Sequence, residues 1–86
     1  MIDQNTNPVP WSLLVSRLDD ARQHLEKLVD DMAANGSIEE EELRVALGHI
    51  YAHLNRAWHT RDQTADVAET DWAQISRFPN DVDPVG

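Results

Sequence analysis

Trp11, Leu14, Leu18, Ala21, Leu25, Leu28 and Met32 recur at alternating intervals of three and four residues, the spacing that lines one side of a helix made to lie against another helix. Leu43, Leu47, Ile50, Leu54 and Ala57 repeat the pattern farther along. Between the two runs, Asn35 and Gly36 tolerate the left-handed conformation that ends a helix, and Ser37 with Glu40 has the spacing of a capping box that starts the next. The pattern therefore predicts an all-α chain. Its first helix covers about residues 10–35, opened by Pro10 where no intrahelical partner is needed for the imide nitrogen. The second covers about residues 38–61, with Glu39, Glu40, Glu41 and Glu42 at the positive end of its dipole. A connection this short makes the two helices antiparallel neighbours. Thr70 as an N-cap, followed by Trp72, Ile75 and Phe78 before Pro79, predicts a short third helix over about 71–77. Residues 1–9 lack periodicity and read as a disordered arm, and residues 79–86 as a flexible tail, which leaves 10–78 as one helical-hairpin domain.

Register follows from the same positions. In an antiparallel pair, Met32 with Leu43, Leu28 with Leu47, Leu25 with Ile50, Ala21 with Leu54 and Leu18 with Ala57 share one constant index sum, which centres the turn between Ser37 and Ile38. A small residue meets a large one in the last two of these layers, as close packing requires. The register also separates the two edges of the hairpin. Val15, Val29, Tyr51 and Trp58 lie on an apolar edge, with Arg22 placed to lay its cation over Tyr51. Arg17, His24 and Asp31 face Ala46, His53 and Thr60 on a polar one.

An isolated pair of helices leaves most of such an apolar edge open, and large open patches are rare on monomers. A third helix of one or two turns cannot span two helices each about 35 Å long at 1.5 Å per residue. The expected assembly is a homodimeric four-helix bundle, with Val15, Val29, Tyr51, Trp58 and Trp72 at the interface.

Composition narrows the partners. The chain has 86 residues and a formal net charge of −9, which repels phosphate backbones and anionic lipid and favours a neutral or basic protein partner. It has no cysteine, so neither disulfides nor thiolate chemistry is expected. The polar segment Met1–Pro10 has no apolar core and is neither an export signal nor a membrane span, so a cytoplasmic protein is expected.

The remaining chemistry is sparse. His49 and His53 are one helical turn apart, His24 lies across from His53, and Asp20 is one turn before His24. Neutral imidazoles with a carboxylate at that spacing are candidate ligands for a divalent metal. No glutamate sits between the histidines as a metalloprotease frame requires, His59 points elsewhere, and the serines have no neighbouring base. Asn55 and Arg56 read as exposed. The chain is therefore expected to be a small acidic, non-enzymatic protein–protein interaction module, an adaptor, small chaperone or regulator needing no cofactor. The alternative is a divalent-metal-binding helical protein using the His24, His49 and His53 edge.

Overall fold

The computed structural model describes residues 2–62 and 72–85, with the side chain of Trp72 also outside the description. Helix α1 spans Pro8–Asn35, α2 spans Glu40–His59, and α3 is one turn, Trp72–Ile75. The Thr70 cap expected for α3 lies outside the described residues.

Helix α1 starts earlier than Pro10 because the chain before it is already turned. The backbone N–H groups of Asn5 and Thr6 donate to the Asp3 carboxylate at 2.7 and 3.1 Å, and the Asn7 N–H donates to the Asp3 carbonyl at 2.8 Å. Pro8 and Pro10 then occupy the first turn, where their missing N–H groups cost nothing. Gly36 ends the helix at φ 72°, donating its N–H to the Met32 carbonyl at 2.9 Å. This is the left-handed closure the sequence anticipates.

The start of α2 differs from expectation. Its N-cap residue is Glu39, extended at φ −70° and ψ 141°, and no side chain caps the first turn. Ser37, Ile38 and Glu39 are instead used to cross from one helix to the other. Three extended residues reach about 10 Å, which matches the distance between packed helix axes, so a helix beginning at Ile38 would leave too little chain for the crossing. Glu40, Glu41 and Glu42 still supply negative charge to the first turn, and Arg56 and His59 supply the opposite charge to the last.

The two long helices pack against each other, but not squarely through the apolar seam. Among the described residues, Ala21, Ile50 and Ala57 are the buried apolar side chains, besides the prolines Pro10 and Pro79. Half-buried Leu14, Arg17, His24 and Leu28 accompany Ala21 on α1, and half-buried Leu43, Ala46 and His53 accompany Ile50 and Ala57 on α2. Leu18, Leu25, Met32, Leu47 and Leu54, which the heptad reading puts inside, are exposed. The helices are thus rolled toward the polar edge. Ala21 and Ala57 are the small residues buried on that side, where close approach suits them, and the imidazoles of His24 and His53 are half-buried with them.

The C-terminal segment docks on the far half of α2. The Asn55 amide donates to the Ser76 carbonyl at 2.9 Å, Arg56 Nη1 donates to Ser76 Oγ at 3.0 Å, and His59 Nε2 donates to the Arg77 carbonyl at 2.9 Å. The Trp58 indole N–H donates to Asp81 at 2.9 Å, which holds that carboxyl below its usual range. Asn55 and Arg56 are therefore buried, not exposed as their heptad positions suggest. Arg56→Ala removes a charged donor from both Ser76 and His53, a loss of about 1.5–3 kcal/mol for a hydrogen bond to a charged group. The expected result is faster proteolysis beyond Arg61 and a red shift of Trp emission, with helix content nearly unchanged. Equal proteolysis rates would mean that Arg56 does not hold the segment.

Candidate functional site

Two surfaces of the hairpin carry candidate function, and the roll of the helices produces both. The first is apolar. Val15, Leu18, Leu25, Val29 and Met32 run along α1, and Leu47, Tyr51 and Leu54 along α2, all exposed, from 37% for Leu47 to 55% for Val29 and Tyr51. Their spacing of three, four or seven residues puts each set on one face of its helix, and the register puts the two faces side by side. Complete burial of one such side chain is worth about 1.5–3 kcal/mol.

Charge borders this face without filling it. The Arg22 guanidinium is gripped by its own helix, at 2.8 Å from Asp19 and 3.2 Å from Glu26, rather than laid over Tyr51. Gln23 donates to Asp19 at 2.7 Å and, with Arg22, keeps that carboxyl below its ordinary range. Trp58, expected on the same edge, is engaged within the chain. Its indole is tied to Asp81, and the Arg61 guanidinium lies 3.8 Å from the ring centre.

The second surface is the histidine trio. His24 from α1 meets His49 and His53 from α2, with ring centres 4.3 Å (His24–His49), 4.7 Å (His24–His53) and 4.8 Å (His49–His53) apart. One ring nitrogen from each lies within 4.8 Å of the other two. Helix geometry explains the arrangement: residues four apart on α2 share a face, and the antiparallel register sets His24 between them. Asp20 stays exposed and is not in this group; it acts at a distance, its charge favouring the protonated form of His53.

His53 is the most constrained of the three. Burial pushes its pKa down, and the charges of Arg56, His24 and His49 push the same way, so the ring is neutral at pH 7. Arg56 Nη2 lies 3.3 Å from Nδ1. Because arginine only donates, Nδ1 accepts and the ring proton sits on Nε2. That nitrogen is buried and has no hydrogen-bond partner, a loss of about 1–3 kcal/mol for a polar group removed from water. A cavity of about 280 Å³ between the helices near the turn reaches His24 and His49, with Glu42 and Asp31 also on its wall.

Arg56 is the functional neighbour that spacing alone does not reveal. Its position one turn short of the C-terminus of α2, three residues after His53, is the available signal. No protein-family model, curated protein or solved structure matches this chain, so the geometry alone carries the functional reading.

Proposed function

We propose that this protein is a small acidic, non-enzymatic interaction module that works as a homodimer, two hairpins joining their apolar faces into a four-helix bundle. The open stripe from Val15 to Met32, with Leu47, Tyr51 and Leu54 beside it, is the observation that carries this reading. A second copy fits this face as occupant, because the same apolar residues recur along the length of α1 and beside it on α2, and a self-complementary face is what a two-fold pair uses. A stripe running the length of α1 can face its own copy across a two-fold axis, each residue being used twice. A neutral or basic protein then meets the acidic outer faces.

Two chains of charge −9 repel each other, and salt screens that repulsion beyond about 8 Å at physiological ionic strength. Light scattering on a gel-filtration column is therefore expected to show a dimer that tightens as salt is raised. A monomer at all concentrations and at high salt would overturn the reading.

A further inference from the structure

We propose that His24, His49 and His53 form a binding site for one borderline divalent transition-metal ion per chain, Zn²⁺ or its neighbours Co²⁺ and Ni²⁺, which clamps α1 to α2.

Three features point to an ion. First, donors from two helices converge: one nitrogen from each histidine lies within 4.8 Å of the others. A tetrahedral ion with bonds of about 2.0–2.1 Å needs them about 3.4 Å apart. The gap is closed by turning imidazoles that now lie partly stacked, so the rings fan outward as they bind.

Second, His53 Nε2 is buried without a partner. A bound ion or water accounts for a group left in that condition, and the His53 ring lies 4.7 and 4.8 Å from the two other imidazoles, centre to centre. When Nε2 ligates, the ring proton resides on Nδ1. Arg56 then has to leave Nδ1 and keep its hydrogen bond to Ser76.

Third, the site is open in the right place. Three histidines occupy three corners of a tetrahedron and leave the fourth for water. The cavity of about 280 Å³ next to His24 and His49 gives an ion and its water a way in, past the Glu42 carboxylate and the Lys27–Asp31 ion pair. A donor set of three neutral nitrogens selects Zn²⁺ and its neighbours and rejects Mg²⁺ and Ca²⁺, which need oxygen ligands. The site differs from a chance pair of surface histidines because His24 comes from the other helix.

Calorimetric titration of Zn²⁺ into metal-free protein, prepared without a histidine tag, tests this directly. The expected result is one ion per chain with Kd of about 1 µM or below and no heat with Mg²⁺. His24→Ala, His49→Ala and His53→Ala are each expected to weaken Zn²⁺ binding at least about 100-fold, beyond the 10–100-fold cost of losing an outer partner. His59→Gln, outside the trio, is expected to bind as tightly as the parent. His49 is exposed, so His49→Ala keeps the hairpin and remains informative if a more buried variant does not fold. With Co²⁺, the visible spectrum is expected to show the intense bands of a four-coordinate ion. Failure of Zn²⁺ to bind with Kd below about 100 µM, a stoichiometry other than one, or undiminished binding by His24→Ala or His49→Ala would each overturn the proposal.

Discussion

Leu25→Asp is expected to leave the hairpin folded and, on the proposed pairing of apolar faces, to keep it a helical monomer. Leu25 is 47% exposed in the single chain, so a carboxylate there keeps much of its hydration and the cost to the isolated hairpin is small. In the paired form the same position lies mid-stripe, where an unpaired charge taken out of water costs several kcal/mol. Two-fold symmetry applies that cost to each copy. At about 1.4 kcal/mol per tenfold, the dissociation constant rises by at least about 100-fold. Light scattering should therefore give a monomer at concentrations where the parent is a dimer, with the far-UV helix signal retained. On the same proposal the thermal midpoint should fall, because a paired parent would gain stability by mass action and the variant would not. A variant without helix at any concentration would instead place Leu25 inside a closed seam.

Much of this architecture is legible in the chain. Spacing locates both long helices, Gly36 marks the end of α1, and the constant index sum agrees with His24 lying between His49 and His53. The histidine trio is visible for the same reason: i, i+4 spacing and an antiparallel register are both periodic facts. What periodicity does not contain is the roll of one helix against the other. That roll depends on which layer allows the closest approach, and here Ala21 and Ala57 decide it by size, drawing the half-polar edge inward and leaving Leu18, Leu25 and Leu54 outside. The capping box fails for a related reason, since Ser37 is needed to cross between helices and has no freedom to cap. The docking of the C-terminal segment through Asn55 and Arg56 has no periodic trace at all. It rests on hydrogen bonds from both of them to Ser76 and from His59 to Arg77, and polar residues near a helix end read equally well as solvated.

The same roll makes Ile50 the largest apolar side chain buried among the described residues, at 7% exposure. Ile50→Asp is therefore expected to abolish folding, not merely assembly. Burying a charge that is left unpaired costs several kcal/mol. Small domains hold only about 5–15 kcal/mol in total, and one with so few buried apolar residues lies toward the low end. Circular dichroism at 25 °C should show loss of the helical signal at every protein concentration, in contrast to Leu25→Asp. Ile50→Val, which costs about 0.5–1.5 kcal/mol, should remain folded with a lower midpoint and so separates a volume effect from a charge effect. Because His49 and His53 flank Ile50 on α2, Ile50→Asp should also lose tight Zn²⁺ binding, while Leu25→Asp should keep it. A folded Ile50→Asp would show that the contact between helices does not run through this layer. Retained Zn²⁺ binding by an unfolded Ile50→Asp chain would show that His49 and His53 capture the ion without α1.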